Sequence, residues 1–150
     1  MKTVFIIILI ITITVLAVFF VLGKQSQKDQ PPILSDGKLT KCSSKPNCVC
    51  SEYPSDDKRF IEPITENTEN VTIIKLESII LEMGGTTVSK TDNYISSTFT
   101  SSFFGFVDDF EIRIDETSGD ILFRSGSRVG YSDRGVNRKR VELFKQIYQK

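Results

Sequence analysis

The chain contains no histidine and no tryptophan, and only three of its 150 residues are cysteine. Without histidine it cannot assemble by itself a Ser-His-Asp or Cys-His nucleophile, or the HExxH helix of zinc proteases. Three cysteines cannot supply the four thiolates of a cysteine-only structural zinc site. These absences exclude several common catalytic centres. We therefore expect no metal and no cofactor, and no recognised catalytic motif is present.

Charge is balanced over the whole chain but segregated along it. The 19 basic side chains equal the 19 acidic ones in number. Acidic side chains dominate residues 51–123, and basic side chains dominate residues 124–150. Because the basic stretch is short and the rest of the folded part is acidic, nucleic acid is not an expected partner. The length allows one domain with a single modest core.

An uncharged apolar run occupies residues 4–22, interrupted only by Thr12 and Thr14. At about 1.5 Å per residue, a helix of this length roughly matches the ~30 Å hydrocarbon core of a bilayer. A cleaved signal peptide is the alternative, but such peptides have a shorter apolar run and a small-residue cleavage site. No clear cleavage pattern is present, and no cysteine follows Gly23. We expect residues 1–23 to be an uncleaved single-pass anchor, so that the membrane is a partner through residues 4–22.

Residues 24–57 resemble a linker and loop, with glutamine, proline and serine and little apolar periodicity. Cys42 and Cys48 flank the turn-like residues 45–47, so a disulfide between them would close a small loop. Three free thiols in a reducing compartment are the alternative. Cys50 is either a free thiol or an alternative partner for Cys42.

The orientation of the anchor depends on these cysteines. The flanking charges do not decide it, because Lys2 and the free amine stand against Lys24 and Lys28. A disulfide fits a domain on the periplasmic or cell-surface side of the membrane, and we expect that location. Asn70 begins a triplet that matches a glycosylation sequon and that also fits the bare start of a helix.

Residues 58–150 predict an α+β domain with two helices and about four strands. Apolar residues spaced three or four apart predict helices over residues 70–83, capped by Asn70, and 137–149. Alternation and turn signals predict four strands, over Thr86–Lys90, Tyr94–Thr100, residues 106–114 and residues 121–125. The short connections favour an antiparallel sheet with both helices packed on one face.

The strand over residues 106–114 carries three acidic side chains. Asp108 and Asp109 are adjacent, so they point to opposite faces of the strand and cannot form a carboxylate dyad. Asp109 shares its face with Glu111, and we expect this face to be a solvated stripe. The strand is thus predicted to be half-buried.

Cations crowd the first turns of the last predicted helix, where they oppose the helix macrodipole. Acidic side chains of the chain could neutralise them, or an external anion such as phosphate, sulfate or a lipid head group could bind there. Ser132 or Asp133 is the expected helix cap. The candidate ligand-binding or structural cluster contains Asp108, Asp109, Glu111, Arg124, Arg128, Tyr131, Asp133, Asn137 and Arg138.

Within this cluster, Arg124 and Arg128 are the expected partners of acidic side chains. Arginine forks bind carboxylates in a bidentate manner, which suits fixed pairing. The expected acidic partners in the chain are Asp108, Asp109 and Asp133.

Three blocks of the chain resemble the domain-of-unknown-function 1499 family of bacteria and plant plastids. Residues 42–51 are similar to the family's C-x-x-x-P-N-C-V-S-S block, and residues 60–64 form the second block. The third and most specific block covers residues 106–111 and 124–142. The resemblance extends over about residues 40–148. It implies that the aspartate, arginine, tyrosine and asparagine side chains of the third block belong to a common framework, and it implies no activity.

Several functions remain compatible with these features. The anchor, the linker and the disulfide favour a membrane-anchored binding or structural module of the cell envelope. The alternative is a hydrolase-like enzyme, or a binder of anions or lipid head groups, that uses the aspartate and arginine cluster. A third possibility is an accessory subunit whose acidic surface meets a basic protein partner. A concave site with converging aspartates and arginines would favour a ligand, whereas fully paired charges would favour a structural role.

We predict that residues 1–23 stay attached in the mature protein. The uncharged run is long, and no clear cleavage pattern follows it. The intact mass of the membrane-extracted protein measures this directly. A mature chain that begins near Lys24 would show that the segment is a signal peptide instead.

Overall fold

The computed structural model describes residues 1–65 and 71–150. These residues form an α+β structure in which an apolar N-terminal helix precedes an antiparallel sheet and two further helices, as predicted. The predicted cap and sequon residue Asn70 lies outside the described residues. In chain order the elements are α1 Lys2–Ser26, β1 Cys48–Cys50, α2 Ile73–Glu82, β2 Thr86–Lys90, β3 Tyr94–Thr100, β4 Val107–Ile114, β5 Ile121–Ser127 and α3 Val136–Tyr148.

The sheet has five strands in the order β1-β5-β4-β3-β2, so β4 lies at its centre. Strands β2 to β5 correspond to the four predicted strands. Strand β1 was not predicted, because its three residues lie in a polar, proline-containing segment and are too few to show alternation. It pairs antiparallel with β5, with Cys48 opposite Gly126 and Cys50 opposite Arg124.

Helix α1 has the length and the apolar composition of a membrane-spanning segment. All its side chains over residues 1–21 are exposed. The hydroxyls of Thr12 and Thr14 donate to the carbonyls of Ile8 and Ile10 at 2.9 and 2.8 Å. The two polar side chains of the run are therefore satisfied within the helix, as a hydrocarbon environment requires.

Helices α2 and α3 pack on one face of the sheet and form the main core, as predicted. Phe110 of β4 and Phe123 of β5 lie with their ring centroids 5.7 and 5.3 Å from the ring of Phe144 on α3. Leu76 and Ile80 of α2 are fully buried in the same core. Burial of each such side chain contributes roughly 1.5–3 kcal/mol. The described cap of α2 is Thr72, whose hydroxyl accepts from the Lys75 amide at 3.2 Å.

The second face of the sheet is also covered, by the chain between α1 and β1. Leu39 is fully buried against Tyr94 and Leu122 in a second apolar cluster. The Tyr53 hydroxyl donates to the carbonyl of Leu39 at 3.1 Å. Part of the segment that resembles a linker is therefore packed, although its few apolar residues are too widely spaced to show periodicity.

This covering layer overturns the expectation that β4 is half-buried. Asp109 is 4% exposed and Glu111 is fully buried, so the predicted solvated stripe is wrong. Alternation of charged and apolar residues identified the two faces correctly. It did not show that another segment of the chain would cover the charged face.

Cys42 and Cys48 form a disulfide across 5.7 Å between their Cα atoms, which confirms the predicted pairing. Cys50 is a buried free thiol beside them in the second cluster. Burial raises the pKa of the Cys50 thiol to about 11. A thiol with this pKa is scarcely ionised at neutral pH and is a poor nucleophile.

We predict that alkylation without reductant at pH 8 labels no cysteine in the folded protein and exactly one after denaturation. Cys50 is inaccessible and protonated until the fold opens, and the disulfide protects the other two cysteines. Mass spectrometry of the labelled chain counts the adducts, and Cys50→Ser is the control that should show none. Three labelled cysteines without reductant would disprove the disulfide.

Candidate functional site

The central feature of the predicted cluster is a buried ion pair between Arg128 and Asp109. The Arg128 Nη2 atom lies 2.7 Å from Asp109 Oδ1, and its Nε atom lies 3.0 and 3.1 Å from the two carboxylate oxygens. Their side chains are 8% and 6% exposed. Arg128 follows the end of β5 and Asp109 lies near the start of β4, so the pair closes the sheet at the end nearest α1.

The same guanidinium also holds the C-terminus of α1. Its Nη1 atom donates to the carbonyl of Ser26 at 3.1 Å and to the carbonyl of Asp29. The last carbonyls of a helix lack partners within the helix and carry the negative end of its macrodipole. Arg128 therefore joins two negative groups, the carboxylate of Asp109 and the end of α1.

Further contacts tie α1 to the loop between β3 and β4. The Ser26 hydroxyl accepts from the Val107 amide at 3.1 Å, and the Gln27 side-chain amide donates to the carbonyl of Gly105 at 2.9 Å. A Cβ atom on Gly23 would lie 1.9 Å from the carbonyl oxygen of Phe104, so only glycine permits this approach. Helix α1 is thus packed directly on the domain.

Glu111 is the second buried carboxylate of β4. Arg124 lies directly opposite it on β5, and Arg124 Nη1 is 2.7 Å from Glu111 Oε2. The Tyr94 hydroxyl donates to Oε1 at 2.7 Å. Burial raises the pKa of the Glu111 carboxyl, while Arg124 and Tyr94 act to lower it.

The prediction that Arg124 pairs with Asp108, Asp109 or Asp133 is therefore wrong. Strand register places Asp109 opposite Gly126 rather than opposite Arg124. Burial also raises the pKa of Asp109, and the Arg128 guanidinium acts to lower it. The carboxylates of Asp109 and Glu111 each have one arginine as a direct partner.

Asp108 lies on the opposite face of β4, as predicted, and pairs with Arg140 of α3. Arg140 Nη2 lies 2.8 Å from Asp108 Oδ2. The guanidinium also lies 4.6 Å from the centre of the Phe99 ring. Arg140 is one of the cations that crowd the start of α3, and its charge is offset here by an acidic side chain of the chain itself.

Asp133 and Asn137 organise the start of α3. Asp133 Oδ1 accepts from the Gly135 amide at 3.0 Å, and Oδ2 accepts from the Asn137 amide at 2.8 Å. Gly135 occupies the N-cap position, so the expected cap of Ser132 or Asp133 is wrong. The Asp133 carboxylate nevertheless satisfies two backbone amides at this end of the helix. The fully buried Asn137 side chain donates to the Asn47 carbonyl at 3.2 Å and accepts from the Ser125 hydroxyl at 2.5 Å. It connects α3 to both the cysteine block and β5.

A further buried ion pair was missed from the sequence. Arg113 Nε lies 2.6 Å from Glu52 Oε1, with the two side chains 10% and 5% exposed. Its Nη2 atom lies 3.0 Å from Asp115. Arg113 shares a strand face with Asp109 and Glu111, which was the available signal. Its partner Glu52 lies in the segment that resembles a linker, where nothing in the sequence marks it.

The remaining members of the predicted cluster lie in a polar surface pocket of about 240 Å³. Arg138 donates to the carbonyls of Lys58 and Phe60 at 3.3 and 2.8 Å. Tyr131 is 73% exposed. The lining residues are Ser44, Pro46, Cys48, Val49, Lys58, Arg59, Tyr131, Asp133, Gly135 and Arg138. The structure therefore divides the predicted cluster into a set of buried pairs and this pocket.

A second cavity, of about 280 Å³, lies between α1 and the domain and is mainly apolar. Phe19 and Leu22 form its wall on α1, and Phe106, Val129 and Val136 line the domain side. It was not predicted, because its walls come from three segments distant in sequence.

Asp108, Asp109 and Glu111 are each engaged by an arginine. Within residues 1–65 and 71–150, no group of three histidine, cysteine, aspartate or glutamate side chains is placed to hold a metal ion.

The model of a family described as proteins of unknown function, DUF1499, matches residues 38–147. The chain belongs to the DUF1499 family. The match contains the whole sheet together with α2 and nearly all of α3, whereas α1 precedes it. The contact between Arg128 and the carbonyl of Ser26 thus joins the DUF1499 region to a helix outside the match. Neither the curated proteins nor the solved structures that were searched contain a match to this chain.

We predict that Arg128→Ala destabilises the domain by about 3–5 kcal/mol, because it leaves the Asp109 carboxylate buried without its partner. The midpoint of thermal unfolding should fall by more than about 10 °C for a domain of this size. The exposed Lys139→Ala is the control, and its effect should stay within about 0.5 kcal/mol. If Arg128→Ala melts within a degree or two of the parent, the pair is not a structural element and an anion-binding role for Arg128 gains support.

Proposed function

We propose that this DUF1499 protein is a membrane-anchored, extracytoplasmic structural or binding module of the cell envelope. The observation that carries the proposal is the attachment of α1 to the domain through Arg128, Gly23 and Ser26. These contacts turn an apolar helix and a folded domain into one packed unit. Such a unit keeps the domain close to the bilayer surface.

The packing at the end of α1 supports an anchor that is retained. The rings of Phe19 and Phe20 each lie 5.2 Å from the ring of Phe104. Cleavage near Lys24 would remove these contacts and would expose the aromatic side chains of the loop. A signal peptide has no need of specific packing against the mature domain, since it is removed.

The disulfide supports an extracytoplasmic location. Disulfides persist in oxidising compartments and are rare in the cytosol. The Cys42–Cys48 bond joins the segment that covers the second face of the sheet to β1. A protein that relied on this bond would fold poorly in a reducing compartment.

The paired charges support a structural or binding role over an enzymatic one. A catalytic carboxylate needs access to a substrate, and Asp109 and Glu111 are both buried beneath the covering segment. Arg124 and Arg128 are engaged by these carboxylates, and among the described residues the buried Nε atom of Arg124 has no hydrogen-bond partner. The acidic and basic residues of the family's third block therefore act as the framework that sets the fold.

A small anion is the second candidate partner, and the polar surface pocket favours it. Lys58, Arg59 and Arg138 line this pocket beside the exposed Tyr131. Asp56 partly offsets the charge of Arg59, to which it pairs at 2.6 Å. Native mass spectrometry of the detergent-solubilised protein tests this candidate by detecting a co-purified anion or lipid, and Lys58→Ala should release it.

We predict that the full chain stays with the membrane after alkaline carbonate extraction and that protease added outside intact spheroplasts digests the domain. The apolar helix explains the first result and the external location explains the second. Ile10→Lys is the control, because a lysine at the helix centre costs roughly 2.5–3.5 kcal/mol of insertion free energy and should weaken anchoring. Protection from external protease would place the domain in the cytoplasm and would contradict the proposal.

A further inference from the structure

The loop between β3 and β4 runs along the last two turns of α1 in a defined order. Its Gly105 contacts Gln27, its Phe104 carbonyl packs on Gly23, and its Phe103 ring lies 5.9 Å from the ring of Phe20. The contacts therefore proceed back along the helix from its C-terminal end toward the apolar run.

Helix geometry gives the level along α1 that the tip of this loop reaches. Ser26 and Phe19 are seven residues apart, which corresponds to about 10 Å along a helix axis. The rings of Phe104 and Phe106 lie 5.2 and 6.2 Å from the ring of Phe19. Phe19 belongs to the uncharged run of residues 4–22. If that run occupies the hydrocarbon core, the tip of the loop must reach the same level.

The composition of the loop suits this environment. Residues 94–107 contain no charged side chain. Phe103 is 67% exposed, although its ring contacts Phe104 at 4.6 Å between centroids. An exposed aromatic side chain at the level of a membrane helix is typical of a group that contacts lipid. Lys24, the first charge after the run, lies one turn above Phe20, where its ammonium can reach the head groups.

Hydrogen bonds at the base of the loop satisfy part of its backbone, which favours placement near lipid. The Ser101 amide donates to the Phe106 carbonyl at 2.8 Å, and the Gly105 amide donates to the Ser101 carbonyl at 3.1 Å. The Phe106 amide donates to the Ser101 hydroxyl at 2.9 Å. The apolar cavity lined by Phe19 and Leu22 opens beside the loop and offers a further apolar wall to lipid chains.

We propose that residues 101–106 form a second membrane contact, an aromatic wedge in which Phe103 and Phe104 insert into the acyl-chain boundary of the leaflet that faces the domain. The wedge rests on the proposed membrane anchoring through α1. It sets the orientation of the DUF1499 domain, because one helix alone leaves the domain free to tilt. The partner is the lipid acyl chain, which is recognised by burial rather than by hydrogen bonds.

The absence of tryptophan makes a direct test possible. Three single-tryptophan variants of the full chain are placed in nanodiscs of phosphatidylcholine, with and without bromine on the acyl chains. Phe103→Trp reports on the wedge and Ile10→Trp reports on the anchor. Thr117→Trp lies at the turn after β4, about 24 Å along the strand from the membrane-proximal end, and is the control. Each substituted side chain is exposed, so the unfolding midpoint should match that of the parent.

We expect brominated lipid to quench more than half of the fluorescence of Phe103→Trp and of Ile10→Trp, and to leave Thr117→Trp unchanged. The emission of Phe103→Trp should also be shifted to the blue relative to Thr117→Trp. Quenching of Ile10→Trp without quenching of Phe103→Trp would overturn the wedge and leave the anchor intact. Absence of quenching for Ile10→Trp would overturn both the anchoring and the wedge.

Discussion

The guanidinium of Arg128 is the contact on which the arrangement of this molecule depends. It neutralises a buried carboxylate at the start of β4 and at the same time caps the carbonyl end of α1. Each of these negative groups would be costly to leave unpaired in a buried position. Because the Arg128 guanidinium binds both the Asp109 carboxylate and the carbonyl end of α1, it fixes the position of α1 relative to β4. A lysine would supply the charge but not the fork that reaches two partners at once.

The segregation of charge along the chain finds its explanation in this pairing. Three acidic residues of β4 lie in the acidic part of the chain, and their arginine partners all lie in the basic part. Two of the pairs lie on one face of β4 and connect it to β5 and the end of α1. The third pair lies on the other face and connects β4 to α3.

The pairing of charges limits where a ligand can bind to this DUF1499 protein. Most acidic and basic side chains of the family's most specific block hold the sheet, the covering segment and α3 together. The accessible features are the polar pocket at Tyr131 and Arg138 and the apolar surface beside α1. Both lie at the margins of the sheet, where the cysteine block and the β3–β4 loop meet other parts of the chain.

Features that depend on near neighbours in the chain could be predicted from the amino-acid sequence. Local patterns predicted the apolar run, the helical spacing around Leu76 and Phe144, the alternation in β4 and the short cysteine loop. The structure contains each of these features. The opposite directions of Asp108 and Asp109 followed from strand geometry alone. Membership of the family followed from residues that lie close together in the sequence.

Features that join distant segments of the chain could not be predicted in this way and became visible in the folded structure. Arg124 meets Glu111 because of strand register, which depends on the exact length of the hairpin turn. Asp109 is buried because a segment without apolar periodicity covers it. The end of α1 is held by the side chain of Arg128, about a hundred residues away in the sequence. Such contacts depend on how each helix, strand or loop packs against the others. A one-dimensional pattern records which face of an element is apolar, but it does not record what will cover the other face.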